Sequence, residues 1–250
     1  MSTGVLFSGG LDSAVLLADE VARGDVQPLY VSVGLAWERA ERAVADRLLA
    51  APPLVGRVRP LVALSVDMRD VYDATHWAVE GRPPSYHTPD EDVYLPGRNI
   101  VLLGKAGVYC AAAGLDRLVL GTLEHNPFPD ATPDFRAAMA RALSLGLAHD
   151  LRIDAPFAGT SKADVIRTGV TLGVPFAHTL SCMSPVMPES SGRPGTGLLE
   201  KRAGDVLPLP AADLFPVHCG TCSKCRERHD AFVDAGVPDP TEYANTANLA

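Results

Sequence analysis

Short apolar runs alternate with longer runs of helical character through the first two-thirds of the chain. Strands are predicted at Val5–Phe7, Pro28–Val33, Leu61–Val66, Arg117–Gly121 and Leu151–Ile153. Helices are predicted from Ser13 to about Arg23, Trp37 to Ala50, Asn99 to Ala113, Pro133 to Ala148 and Lys162 to Leu172. Punctuation supports these limits. Thr132-Pro133-Asp134 supplies an N-cap, a proline at the first helical position and an acid that suits the helix dipole. Thr160 or Ser161 can cap the next helix, Gly173 can end it, and Gly24 can end the first. Repeated strand–helix alternation predicts an α/β protein with a doubly wound, mostly parallel sheet covered on both faces.

The alternation stops after Gly173. Met183–Pro216 is rich in Pro, Gly and Ser and shows no period. A stretch of that length without regular structure is uncommon inside a compact domain. A short helix is expected from about Cys222 to Ala235, followed by a loosely attached tail, "VPDPTEYANTANLA". This divides the chain into a main α/β domain over residues 1–180, a cysteine-rich appendage over 181–236 and a tail over 237–250.

Composition narrows the setting. Of 250 residues, 47% are hydrophobic and 21% charged, as in ordinary globular proteins. No apolar run approaches the ~18 residues of a membrane span. No basic segment precedes an apolar stretch at the N-terminus, so a cytoplasmic location is expected. The formal net charge of −8 argues against a nucleic-acid partner and for a small substrate. Three of five cysteines fall within seven residues, a crowding that means metal more often than disulfide in such a chain.

Two segments carry candidate chemistry. In "FSGGLDS", Phe7 to Ser13, a strand ends in two glycines and a helix begins. Helix N-termini present free N–H groups and partial positive charge, which suits phosphate. Gly9 and Gly10 let the backbone come close, and Ser8 and Ser13 offer hydroxyls. Asp12 would repel phosphate unless it holds the loop or a Mg²⁺ ion. The string is neither a Walker loop nor a dinucleotide turn. The second segment is Cys219-Gly-Thr-Cys222-Ser-Lys-Cys225, two overlapping C-x-x-C units that suit tetrahedral zinc. Cys182 is the first choice for a fourth ligand, with His218 and His229 as alternatives; an iron–sulfur cluster is the rival occupant. Cys110, on an apolar helical face, reads as core.

SGGLDS resembles the SGGxDS "PP-loop" of the ATP pyrophosphatase superfamily. The whole chain resembles the 7-cyano-7-deazaguanine synthase family through that loop, "YLPGRNIVLL" (Tyr94 to Leu103), "GTSKADVIRTGVTLGVPFAHTLSC" (Gly159 to Cys182) and "CGTCSKCRERHDAF" (Cys219 to Phe232). The resemblance implies an adenine nucleotide alpha-hydrolase-like fold and a ligase using ATP and Mg²⁺. Such a ligase adenylates the carboxylate of 7-carboxy-7-deazaguanine, forms the amide with ammonia, and activates the amide with a second ATP to give the nitrile. It implies Zn²⁺ on Cys182, Cys219, Cys222 and Cys225, and a homodimer. Nucleotide contacts would come from Phe7, Ser8, Gly9, Gly10, Leu11, Asp12, Ser13 and Gly121. Asp12, Arg98 and Lys162 would be catalytic, and Phe128, Asp130 and Arg98 would meet the substrate. Lys162 stands at a helix start, where its charge opposes the dipole; the plain alternative is that it points to solvent.

Three places depart from the family pattern. Val33-Gly34-Leu35-Ala36 stands where the family has Asp-Tyr-Gly-Gln. Phe128-Pro129-Asp130-Ala131-Thr132 stands where it has Tyr-Pro-Asp-Cys-Arg, and Met183–His218 carries an insertion. A guanidinium that can grip a carboxylate is lost, which is not a small change. Alternatives are therefore a divergent relative that acts on another acid or stops at the amide, a tRNA sulfur-transfer enzyme, or a non-catalytic nucleotide-binding protein.

Overall fold

A computed structural model describes residues 2–187 and 215–249; most of the proposed insertion lies outside the described residues. Five strands form one parallel sheet in the order β3-β2-β1-β4-β5. They are β1 (Thr3–Leu6), β2 (Val26–Ser32), β3 (Val62–Ser65), β4 (Arg117–Val119) and β5 (Arg152–Asp154). The helices are α1 (Leu11–Arg23), α2 (Glu38–Leu49), α3 (Trp77–Glu80), α4 (Arg98–Ala113), α5 (Pro133–Leu147), α6 (Lys162–Thr171) and α7 (Ser223–Ala235). α1 packs on α6 and α6 on α7, whereas α4 packs on α5. This is the doubly wound arrangement that the alternation predicted. No helix among the described residues is long and apolar enough to cross a membrane.

The core follows from the apolar runs. β2 is buried along nearly its whole length, and α1 buries Leu11, Ala14, Val15, Leu16, Leu17, Ala18 and Val21. Each fully buried aliphatic side chain contributes about 1.5–3 kcal/mol. Pro28 has no N–H to give within β2. Gln27 Nε2 supplies a donor there, to Pro60 O at 2.7 Å and Pro28 O at 3.2 Å. Glu20, buried on α1, is matched by Arg117 of β4, whose Nε also reaches Asp154 of β5 at 2.6 Å.

Strand order turns around between β1 and β4. In open parallel sheets that switch point leaves a crevice beyond the strand ends, where ligands bind. The β1–α1 loop and the segment after β4 form its two lips. Element limits differ from the sequence expectation by one or two residues. α3 and the 3₁₀ turns at Asp90–Val93, Pro129–Ala131 and Phe176–His178 carry no sequence period long enough to announce them.

The C-terminal segment is a correction. It was expected to hang loosely, yet His218 N donates to Glu242 O at 3.2 Å and Ala244 N to His218 O at 2.8 Å. Arg228, fully buried, donates to Thr241 Oγ1 at 2.6 Å, Thr179 Oγ1 at 2.8 Å and Phe176 O at 2.9 Å. A buried guanidinium needs several acceptors, and the end of the chain provides one of them. The four cysteines near α7 share one continuous core with the sheet.

Candidate active site and metal centre

The β1–α1 loop has the geometry its glycines suggested. Gly9 has φ +78°, a left-handed conformation, and a Cβ there would meet Val44 Cγ1 at 3.0 Å and Ala45 N at 3.2 Å. The loop therefore lies flush on α2. Ser13 Oγ donates to Gly10 O at 3.0 Å, and Gly10 N donates to Ser8 Oγ at 3.3 Å. α1 starts at Leu11 without a side-chain cap, and its first turn, Leu11 to Ser13, lines the crevice. Gly121 follows β4 on the opposite lip; a Cβ there would sit 3.6 Å from the Asp12 carbonyl carbon.

Two joined hollows occupy the crevice. One, of about 340 Å³, is lined by the loop (Phe7, Ser8, Gly10 to Ser13) and by Arg98. The other, of about 440 Å³, runs past Glu124–Phe128 and the start of α7. Asp12, Gly121, Phe128, Lys162, Lys224 and Glu227 line both. Lys162 therefore does not point to solvent: its Nζ lies 3.2 Å from Asp12 Oδ2 and 2.5 Å from Glu227 Oε1. Burial opposes its charge, but the two carboxylates outweigh burial and raise its pKa. Burial likewise pushes Glu227 up, yet Lys162 and Lys224 hold its carboxyl down at about 2. Asp12 Oδ1 and Arg98 Nε are buried without a protein partner among the described residues. Such atoms are costly to bury unless a ligand completes them.

Other expectations fare differently. Phe128 lines the cleft and stacks on Tyr94 with ring centroids 5.0 Å apart. Asp130 does not line either hollow. Its carboxylate accepts from Asn99 N at 3.0 Å and Asn99 Nδ2 at 3.3 Å, so it caps α4 in place of a side chain from the helix itself. The loop after β2 lacks an acid of its own but receives one from α2. Glu38 Oε1 accepts from Val33 N at 2.7 Å and Gly34 N at 3.1 Å.

Sequence reasoning missed four residues. Glu38 and Glu41 sit on α2 at a spacing that reads as ordinary surface charge. Glu41 is buried in the cleft wall, accepts from Tyr30 OH at 2.9 Å, and is pushed by burial up to about 7, with Arg98 pulling the other way. Lys224 lies inside the cysteine motif and Glu227 two residues beyond it, where the metal signal draws attention to the sulfurs. Their helical spacing of three residues was the available clue.

The cysteines converge. Cys182, Cys219, Cys222 and Cys225 are buried, and their sulfurs all lie within 4.8 Å of one another. The Cys222–Cys225 sulfurs are 3.5 Å apart, Cys219–Cys225 3.8 Å and Cys182–Cys222 4.0 Å. A tetrahedron with Zn–S near 2.3 Å has edges of about 3.8 Å. The donor set thus fits one Zn²⁺, whereas a cubane cluster would spread its thiolates around its corners. Backbone N–H groups of Ser184, Cys219 and Thr221 point at the sulfurs, which suits thiolate charge. His218 is not a ligand: its Nε2 accepts from Ser181 N at 3.1 Å, and the four sulfurs complete the set without it. His229 Nδ1 faces Asp239 at 3.8 Å.

Comparison with known proteins agrees with this geometry. The profile of the family described as "Queuosine biosynthesis protein QueC" matches residues 3–193. A 7-cyano-7-deazaguanine synthase of Methanopyrus kandleri is 34% identical, covering 97% of this chain and 98% of that protein. One from Anaeromyxobacter dehalogenans is 32% identical, covering 96% and 94%, and one from Xanthomonas campestris pv. campestris is 31% identical, covering 96% of each. Matched by that family's model over most of its length and by these synthases over nearly all of it, the chain belongs to the QueC family.

Proposed function

We propose that this chain is a 7-cyano-7-deazaguanine synthase, an ATP-dependent ligase that turns 7-carboxy-7-deazaguanine and ammonia into the nitrile. A carboxylate and ammonia do not condense in water, so an oxygen of the acid must first leave as part of AMP. One carboxylate oxygen bonds to the α-phosphorus of ATP while pyrophosphate departs. Ammonia then displaces AMP and sheds a proton, giving the amide. The amide oxygen then attacks the α-phosphorus of a second ATP, releasing pyrophosphate and one nitrogen proton, and departure of AMP with the last nitrogen proton gives the nitrile.

The roles of the residues follow from their charge and place. Ser8, Gly9, Gly10, Ser13 and the first turn of α1 would hold the outer phosphates, leaving the inner one open to attack. Phe7 and Leu11 flank that turn, and Gly121 leaves room on the other lip. Lys162 and Arg98 would take the negative charge that builds at the α-phosphate. Asp12, with one oxygen unpartnered, would hold Mg²⁺, which supplies further positive charge at the phosphates. Zn²⁺ on Cys182, Cys219, Cys222 and Cys225 would be structural, since four thiolates leave no open position. A homodimer in the cytoplasm completes the reading.

One observation carries it: the loop and Lys162 converge on a single crevice in a chain matched over its length by synthases. A second reading, a relative acting on a different acid or stopping at the amide, is favoured by Asp130, which caps α4 instead of facing the cleft. Pure protein with ATP, Mg²⁺, ammonium and 7-carboxy-7-deazaguanine, followed by mass spectrometry, decides between them. The nitrile is the expected product. Amide alone supports the second reading, and absence of AMP overturns the first.

A further inference from the structure

Lys224 belongs neither to the phosphate loop nor to the metal ligands, yet it lines both hollows of the crevice. We propose that Lys224 grips the carboxylate of the acid substrate, so that its ammonium and that of Lys162 flank the reacting carboxyl group, one on the acid's side and one on the nucleotide's. This rests on the ligase reading above and names the acid-binding residue of the same site.

The charges of the larger hollow require such a group. Asp12, Asp90, Glu124, Glu227, Asp230 and Asp234 all line it. An anionic acid entering this space meets repulsion unless a cation is ready to take it. Lys162, Lys224 and Arg226 are the permanent cations of the lining. Lys162 is committed to two carboxylates, Asp12 at 3.2 Å and Glu227 at 2.5 Å. Arg226 is committed to the Tyr86 carbonyl at 3.0 Å and faces Asp90 at 3.7 Å. Lys224, unlike Arg226, lines both hollows. Among the described residues Glu227 Oε2, at 2.5 Å, is the acceptor within hydrogen-bonding distance of its Nζ, and Asp90 stands off at 3.9 Å. An ammonium has three donors, so Lys224 keeps donors for a ligand.

Its placement beside Lys162, at the junction of the two hollows, suits the acid. Glu227 holds Lys162 with one oxygen and Lys224 with the other. The two ammonium groups are thereby fixed as neighbours on the wall that the two hollows share. Lys162 also touches Asp12 of the β1–α1 loop, whereas the second carboxylate near Lys224 is Asp90, which lines the larger hollow and not the smaller. Glu124–Phe128 lines that larger hollow and leads into Phe128–Thr132, the segment whose sequence departs from the family pattern. Lys224 and Glu227 stand three residues apart on α7, where helical neighbours meet.

The test is steady-state kinetics of the full-length, zinc-loaded enzyme with acid and ATP varied separately. Lys224→Met is expected to raise KM for 7-carboxy-7-deazaguanine about tenfold or more, the effect of one lost charge-assisted hydrogen bond, with KM for ATP within about twofold. Lys224→Arg, which keeps the charge, is expected to recover much of the loss. Zinc content and thermal midpoint, measured on both variants, separate this from damage at Cys222 or Cys225. If Lys224→Met folds with its zinc and KM for the acid is unchanged, Lys224 is only a structural ion-pair partner and the proposal falls. If KM for ATP rises with it, Lys224 serves the phosphates and the proposal also falls. If the unaltered enzyme makes no AMP from the acid, the ligase reading itself fails first.

Discussion

Leu180 N donates to Gly9 O at 2.9 Å, inside the β1–α1 loop, and Cys182 lies two residues further along the same stretch of chain. The metal centre is thus tied by a three-residue tether to the backbone that would receive ATP. Zinc removal is expected to act on the loop, not only on the fold at the cysteines. Chelated protein should show faster amide hydrogen exchange over residues 7–13 and ATP binding weaker by about tenfold, an amount equal to one lost polar contact. Exchange at the loop unchanged by chelation would break the link.

Gly9 is held in its left-handed conformation against α2. Gly9→Ala adds about 1–2 kcal/mol of backbone strain and a methyl group that must displace Val44 or the α2 backbone. Its thermal midpoint should fall, and ATP binding should fall with it. Gly10→Ala is the control: Gly10 has an extended φ of −69°, and the nearest atom to its Cβ is the Ser8 hydroxyl at 3.2 Å. It should be the milder of the two by both melting and titration.

Lys162 neutralises two carboxylates on a half-buried wall. Lys162→Met should lower kcat by roughly 10²–10³, the scale of losing one transition-state charge contact. It should also destabilise, because Asp12 and Glu227 are left facing each other without it. Lys162→Met combined with Glu227→Gln should recover stability without recovering activity. Recovery of both would mean that Lys162 acts only as an ion-pair partner. Chemical denaturation and single-turnover AMP formation on the three variants distinguish these outcomes.

Glu41 is held by burial at about 7, against 4.5 in the unfolded chain. Between those values the folded state keeps a proton that the unfolded state has released. Raising the pH through that window therefore favours unfolding, by up to roughly 3 kcal/mol for this one group. Glu41→Gln should remove that part of the slope, so its stability gain over the parent should grow from pH 4.5 to pH 7 and then level off. Urea unfolding at a series of pH values measures it. Parallel curves for the two proteins would contradict the buried, protonated carboxyl.

The legible parts of this chain were those written in local pattern. Strand–helix alternation fixed the parallel sheet because burial on both faces demands apolar strands with amphipathic crossovers. The glycine pair marked the loop because only glycine takes Gly9's φ without strain, and close cysteine spacing marked a metal because thiolates two residues apart can meet one ion. Asp130, Glu41, Lys224 and Glu227 were not legible in the same way. A carboxylate reads alike in sequence whether it caps a helix, pairs with a lysine or stays protonated in a wall.

The sequence by itself determined the architecture, the glycine turn after β1 and the three closely spaced cysteines of a metal site, since each depends on backbone conformation or on neighbours close in the chain. Only the tertiary structure decided that Lys162 turns inward, that Asp130 caps α4, that His218 is not a ligand and that α7 sends Lys224 and Glu227 into the crevice. Those outcomes depend on which charges folding brings within a few ångströms of one another, and electrostatic energy in a partly dry cleft is set by that distance, not by separation along the chain.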